Sequence, residues 1–322
     1  MKPQSFEYLA PGTLGEALDL LAEHAEAASV LAGGQSLVPL LNLRLARPEF
    51  VLDINRLPGL DRVLVADRDV RVGALVRHRA VERALEPGPL GRLLARVAPR
   101  VGHPPIRNRG TVCGSLAHAD PAAEWCLLGL TVDAEVRLAS AAGTRRLTVD
   151  ALLDSPFSTT RRPDELITEV TFPRWAPGQV GAGFVERART AGSFAEAAAC
   201  VLVHWAGPLP GAGGPAGGEV AAVRIGVAGV GGRPVLLPAA AATLVGRPLT
   251  GRQRDLAAAT AADEITPRDG ADPAGYQRAI VAALITAALD QAVLDRAEPG
   301  GAVLDPDRPG LDPDRPGLDR AG

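Results

Sequence analysis

Apolar positions along the chain change period several times, and each change marks an element. From Thr13 to His24 the apolar residues Leu14, Ala17, Leu18 and Leu21 recur at three- and four-residue steps, which lays them on one helical face. Thr13 followed three residues later by Glu16 has the form of a capping box and fixes the helix start. Ser29-Val30-Leu31 reads as a short buried strand, residues 37–45 return to helical spacing, and Val51-Leu52-Asp53-Ile54 is a second strand. Beyond Leu57 the alternation has a period of two. Residues 62–66 and 69–73 are expected to pair as a hairpin around Asp67-Arg68, residues 133–138 and 144–149 as another, and 165–172 alternates like a strand.

Helices are expected over 78–85, 90–98 and 121–130, the last with Pro121 in its first turn. Pro173, Pro177 and Gly178 punctuate a domain junction. After it, 194–205 and 220–230 read as strands joined by the Gly/Pro/Ala stretch 207–218, a flexible hairpin loop. Tyr276, Ile280, Leu284 and Ala287 then step by about one helical turn into a closing amphipathic helix. Residues 304–310 repeat at 311–317 with two prolines each, so this tail is expected to be disordered.

Composition narrows the function classes. A chain of 322 residues can hold two or three cores, and 47% hydrophobic with 22% charged residues is a globular balance. A net charge of −3 argues against a nucleic-acid footprint. The start, Met1-Lys2-Pro3-Gln4-Ser5-Phe6-Glu7, lacks the apolar core of a signal peptide, and the apolar stretch near Ile280 is interrupted by Gln277, Arg278 and Asp290. A cytoplasmic chain without a membrane span is the expectation. Cys113, Cys126 and Cys200 are too few and too scattered for a disulfide framework or a cysteine-rich metal site.

Candidate chemistry concentrates in two glycine-centred segments, Leu31-Ala32-Gly33-Gly34-Gln35-Ser36-Leu37 and Thr111-Val112-Cys113-Gly114-Ser115-Leu116. Glycine lets main-chain N–H groups approach an anion, and Ser or Thr adds a hydroxyl donor. One such segment is an ordinary tight turn; two suggest a ligand with two phosphates, for which a dinucleotide is the natural candidate. The spacing is not G-x-G-x-x-G, which disfavours a Rossmann fold.

Three stretches carry a family resemblance: LAGGQSLVPLLNLRLARPEFVLDINRLPGL from Leu31, GALVRHRAVE from Gly73 and VGHPPIRNRGTVCGSLAHADPAAE from Val101. With them the chain, over roughly Phe6 to Leu294, resembles the flavoprotein (medium) subunit of the molybdenum hydroxylases, the family of carbon monoxide dehydrogenase and xanthine dehydrogenase. The resemblance implies an α+β protein: a two-lobed FAD-binding domain of the vanillyl-alcohol-oxidase (PCMH) type, then a smaller α+β C-terminal domain. The expected divisions are an N-terminal lobe at 1–56, a middle lobe at 57–176, the C-terminal domain at 177–294 and the tail at 295–322. It also implies non-covalent FAD on this chain, with molybdopterin and [2Fe–2S] clusters confined to partner subunits: an iron–sulfur small subunit and a molybdopterin large subunit in a dimer of heterotrimers. Two such clusters would need about eight ligands, and this chain has three cysteines.

Residue by residue, the resemblance implies that Ala32, Gly33, Gly34, Gln35 and Ser36 surround the pyrophosphate, walled by Leu31 and Leu37. Thr111, Gly114 and Ser115 would form a second clamp, with Cys113 standing where the family usually has glycine. Glu124 would accept hydrogen bonds from ribose or ribityl hydroxyls; otherwise it is a solvated acid at a helix start. His118 and Asp120 would support it, and Cys126 stands where proline is common. Leu166 matches a position that contacts the flavin region, and Phe194 an aromatic position that lies against the flavin ring. Glu186 stands where relatives tend to carry lysine, so it should point away, or Arg187 or Arg189 should substitute. Arg107 and Arg109 are either pyrophosphate counter-charges or salt-bridge partners. The implied function is an oxidoreductase subunit that passes electrons from iron–sulfur clusters through FAD to an external acceptor, no residue of this chain being catalytic toward substrate. Two alternatives are a self-sufficient flavoenzyme and a flavin-free scaffold descended from the family.

Overall fold

The computed structural model describes residues 2–82, 86–207, 218–266 and 275–297. The core of the glycine-rich stretch, 208–217, and the repeats after 297 lie outside the described residues, and with them the expectations of a flexible loop and a disordered tail.

The N-terminal elements are β1 (Glu7–Leu9), α1 (Leu14–His24), β2 (Ala28–Leu31), α2 (Leu37–Asn42) and β3 (Phe50–Asp53), and the strands form a parallel sheet in the order β1-β3-β2. Thr13 caps α1 by accepting from Glu16 N at 3.2 Å, while Glu16 Oε2 accepts from Gly12 N at 2.8 Å. The carboxylate thus reaches one residue ahead of a reciprocal capping box. Leu31 pairs with Asp53, so the chain leaves β2 and β3 at the same edge of the sheet. That register places the first glycine segment beside Asn55.

The second unit runs β4 (Val63–Val65), β5 (Asp69–Gly73), α3 (His78–Val81), α4 (Pro89–Val97), α5 (Pro104–Arg107), α6 (Val112–His118), α7 (Glu124–Thr131), β6 (Glu135–Ser140), β7 (Gly143–Thr148), α8 (Val149–Leu152), β8 (Leu153–Ser155), β9 (Ser158–Thr159) and β10 (Leu166–Pro173). Its main sheet is antiparallel, in the order β4-β5-β10-β6-β7, and β8-β9 is a separate ribbon. Alternate residues Val70, Val72, Val136, Leu138, Val170 and Phe172 are buried in the same core as Val112, Leu116, Trp125 and Leu128 from the helices. Removing such a face from water is the main stabilising term.

Two expectations change here. The Thr111–Leu116 segment is a helix, because Thr111 Oγ1 accepts from Gly114 N at 3.0 Å and so caps α6. Helix α7 starts at Glu124, three residues later than expected: Asp120 accepts from Ala122 N through Oδ1 at 2.8 Å, and from Ala123 N through its carbonyl, and this turn takes up Pro121.

The third unit holds β11 (Val180–Ala188), β12 (Ala195–Trp205), β13 (Val220–Ala228), β14 (Val235–Leu236), α9 (Pro238–Ala242), α10 (Gly251–Glu264) and α11 (Tyr276–Ala297), with the strands antiparallel in chain order. Strand β11 has a specific reason for its glycines. A Cβ at Gly181 would lie 2.0 Å from Ala292 O, and one at Gly183 2.0 Å from Ala288 O, so the backbone of α11 rests directly on the strand. Helix α11 is 22 residues long, and its length and hydropathy would suffice to cross a membrane. Its Val281, Leu284, Ile285, Ala288, Leu289 and Ala292 are instead buried against the third sheet. The buried Asp295 accepts from Arg92 Nε at 2.8 Å and from Ala182 N at 3.0 Å, tying α11 to α4 and β11. Its charge is compensated within the interface, as a buried carboxylate requires.

Candidate functional site

Where the first two units meet, a cavity of about 520 Å³ opens between the glycine segments. That lies within the size range of small-molecule sites. Its walls include Ala32, Gly33, Gly34, Gln35, Ser36 and Leu37 from the first segment and Thr111, Gly114 and Ser115 from the second. Glu124 and Phe194 complete the set of sequence-expected residues brought together here. Leu31, Cys113 and Leu166 do not line it. Leu31 lends its carbonyl to Ile54 N at 3.1 Å. Cys113 and Leu166 line a second, smaller cavity of about 100 Å³, which shares Val30, Ala32, Gly114 and Ala117 with the first.

The glycines act differently from the sequence argument. A Cβ on Gly33 would stand 2.3 Å from Arg109 O and 2.6 Å from Gly110 Cα. Gly33 is therefore where the two segments touch, and its bareness serves that contact. Gly34 has φ +73°, in the left-handed region, and a Cβ there would meet Leu31 and Val38 side chains at 3.2 Å. The result of that turn is chemical: the N–H groups of Gly33, Gly34, Gln35 and Ser36 donate to no group among the described residues. Unpaired main-chain donors at a cavity wall are a cradle for an anion.

A polar clip holds the cradle. Asn55 Nδ2 donates to Ala32 O at 2.8 Å, Arg77 Nη2 donates to Asn55 Oδ1 at 2.7 Å, and Arg77 Nη1 donates to Arg109 O. One guanidinium thereby joins both segments. Arg107 instead pairs with Glu82 and donates to Gly102 O at 2.7 Å. Arg109 contributes its carbonyl.

Cys113 Sγ faces Val72 O at 3.7 Å, and burial pushes its thiol up to about 12. It holds no thiolate at neutral pH, which removes a nucleophilic or redox role. Burial likewise pushes the Cys200 thiol up to about 12 and raises that of Cys126. No group of three or more His, Cys, Asp or Glu among the described residues is placed to hold a metal.

Glu124, 7% exposed, is pushed up to about 8, mainly by burial, with Glu186 and Asp120 adding repulsion against its own backbone N–H and Arg100. A protonated carboxyl both donates and accepts, which suits a polyol better than a carboxylate does. Burial lowers the pKa of His118 against the opposing charge of Asp120; its ring packs at 5.2 Å against Phe157, and both His118 and Asp120 line the wall. Glu186 lies outside the wall, 3.5 Å from Arg100, while Arg187 and Arg189 pair with Glu196 on the surface. Arg100, rather than either expected arginine, offsets the acid. Phe194 is 71% exposed and stands at the cavity rim beside Gly192 and Ser193.

Sequence reasoning missed His78, Gly110, Gly102, Ile106 and Gly192, all of which line the cavity. A lone histidine at the start of an apolar helix reads as core. The signal available was its place in GALVRHRAVE, just after Arg77.

Comparison with known proteins assigns the fold and the family. The family described as FAD binding domain in molybdopterin dehydrogenase matches residues 4–175, and CO dehydrogenase flavoprotein C-terminal domain matches 183–292. The chain is 43% identical over 203 residues to 6-hydroxypseudooxynicotine dehydrogenase complex subunit alpha of Paenarthrobacter nicotinovorans, covering 63% of this chain and 68% of that one. It is 33% identical to the nicotine 6-hydroxylase medium subunit of the same organism, over 83% of this chain and 89% of that one. In structure it resembles a chain of carbon monoxide dehydrogenase from Hydrogenophaga pseudoflava, with a TM-score of 0.81 and 31% identity, covering 92% of this chain and 99% of that one.

Proposed function

This chain belongs to the FAD-binding medium subunits of the molybdenum hydroxylases, and we propose that it is their electron-transfer station. In this reading electrons arrive from an iron–sulfur partner, pass through FAD and leave to an external acceptor, while a molybdopterin subunit oxidises the substrate. The observation that carries the reading is the cradle: four N–H groups of Gly33 to Ser36, unpaired among the described residues, at the wall of a cavity that also offers Thr111, Ser115 and Glu124.

FAD, when bound, supplies an acceptor that takes up electron pairs and releases electrons singly or in pairs. The chain's own residues have narrower tasks. Gly33 to Ser36 would hold the pyrophosphate, because backbone N–H groups are fixed and give up no side-chain entropy. The Ser115 hydroxyl adds a donor and acceptor, and Thr111 keeps the turn in place by capping α6. Glu124 would meet a sugar or ribityl hydroxyl. Phe194 at the rim would limit water access to a flat ring.

No residue here is assigned to substrate chemistry, and the assembly proposed is a dimer of heterotrimers. The test is anaerobic mixing of the FAD-loaded chain with an organic substrate of the assembled complex. Alone, the chain should keep its flavin colour, while dithionite should bleach it. Addition of the two partner subunits should restore substrate-driven bleaching. Bleaching by substrate in the isolated chain would replace this reading with a self-contained flavoenzyme.

A further inference from the structure

His78 is 4% exposed, and it sits at the first position of α3 with its ring in the wall of the large cavity. Its Nδ1 accepts from Trp125 Nε1 at 3.0 Å, and the indole is fully buried and stacked at 6.0 Å on the imidazole. A neutral imidazole has one acceptor and one donor nitrogen. Because Trp125 can only donate, the proton of His78 is forced onto Nε2. Burial, reinforced by the charges of Arg107 and Arg77, holds the ring at about 4, so it is neutral and in this tautomer at physiological pH.

Nε2–H itself has no partner among the described residues, and it is not one of the fully covered unpaired atoms there, so it opens onto the cavity that His78 lines. A donor that opens onto a cavity with no protein partner is available to water or to a ligand. The surroundings of this atom say to which. A Cβ on Gly110 would lie 2.7 Å from Nε2, and Gly110 Cα would be 2.6 Å from a Cβ on Gly33. Nε2, Gly110 and Gly33 are therefore consecutive points on one wall, and Gly33 begins the run of unpaired N–H groups. The donor stands beside the stretch of wall where the anionic part of a dinucleotide would lie.

We infer that His78 is a binding residue whose Nε2–H, oriented by Trp125, donates to a phosphate oxygen of the bound dinucleotide. The inference rests on the FAD reading above. A histidine that merely satisfied Trp125 would leave ligand binding indifferent to Nε2.

The experiment compares wild type with His78→Asn and His78→Gln, using FAD, ADP and riboflavin as separate probes of the purified apoprotein. Asparagine keeps an acceptor for Trp125 and loses the Nε2 donor; glutamine keeps a donor at about the reach of Nε2. His78→Asn should weaken FAD and ADP binding about tenfold or more and leave riboflavin unchanged, and His78→Gln should recover most of the loss. In wild type labelled with ¹⁵N-histidine, one of the five histidines should show a protonated Nε2 whose resonance moves with ADP and stays put with riboflavin. That measurement needs no variant to fold. Equal FAD affinity in wild type and His78→Asn, or an Nε2 resonance indifferent to ADP, would overturn the assignment. Failure of wild type to bind FAD at all would instead remove the flavin reading on which it rests.

Discussion

Arg77 donates to Asn55 Oδ1 at 2.7 Å, and through this bond a residue of the second sheet's outgoing chain reaches the edge of the first sheet. Asn55 passes the connection to Ala32 O, and Arg77 holds Arg109 O with its other arm. The cavity wall is thus held by a polar clip across two units that share no sheet. Removing one partner of a charge-assisted hydrogen bond costs about 1.5–3 kcal/mol. Arg77→Met should therefore lower FAD affinity at least tenfold, with the C-terminal sheet still folded. Fluorescence titration of FAD checks it; wild-type affinity would show the clip to be dispensable.

Gly33 and Gly34 should separate in a substitution series. Gly33→Ala puts a methyl 2.3 Å from Arg109 O, forcing the two segments apart at a cost of about 1–3 kcal/mol. Gly34→Val places a β-branched residue at φ +73°, at a cost of about 1–3 kcal/mol, whereas Gly34→Asn should be milder because asparagine tolerates that region. FAD content of the purified variants, together with thermal melting of the apo forms, reads both effects. Equal retention of flavin in Gly34→Val and Gly34→Asn would contradict the backbone argument.

Glu124 gives the apo protein a pH dependence of definite sign. In the fold its carboxyl keeps its proton to about 8, mainly because of burial, while the unfolded chain releases it near 4.5. Between these values the native state holds the extra proton, so this residue's contribution to stability falls as pH rises from 4.5 to about 8. Glu124→Gln cannot ionise and escapes that loss. Its gain over wild type should be near zero at pH 4.5 and grow to a few kcal/mol, on the order of 3, at pH 8. Urea denaturation of the apo forms at both pH values measures the difference; a gain independent of pH would contradict the burial of an ionisable carboxyl.

Much of this architecture could be read from the chain because local pattern and tertiary context agree. The hairpin β4-β5 and strand β10 follow their alternation, and α1 follows Thr13. Strand β11 was not anticipated because glycine is depleted in strands, and only the backbone of α11 lying on Gly181 and Gly183 explains their presence. Helix α10 escaped for a related reason: an alanine-rich run shows little contrast between its faces. In the site, the meeting of two glycine segments was legible, but only the first leaves its N–H groups free among the described residues; the second is the capped start of α6. The reason for Gly33 was not legible, since it depends on Arg109 arriving from a distant part of the chain. His78 was hidden in the same way, its meaning being set by Trp125, 47 residues later.

Attachment of the flavin is a further point of test. Cys113 faces Val72 O with its thiol pushed up to about 12, so it cannot serve as a nucleophile toward the cofactor. Non-covalent FAD is the proposal that follows. Acid precipitation should release all yellow colour to the supernatant, and colour kept in the washed pellet would refute it.

The most direct measurement of the central claim is a calorimetric titration of the apo chain with FAD, in wild type and in a variant carrying both Arg77→Met and Gly33→Ala. If the cavity between the glycine segments is the flavin site, wild type should bind one equivalent and the variant should lose that binding while its C-terminal domain still melts cooperatively. Binding of one equivalent with unchanged affinity in the variant would place the flavin elsewhere and contradict the account.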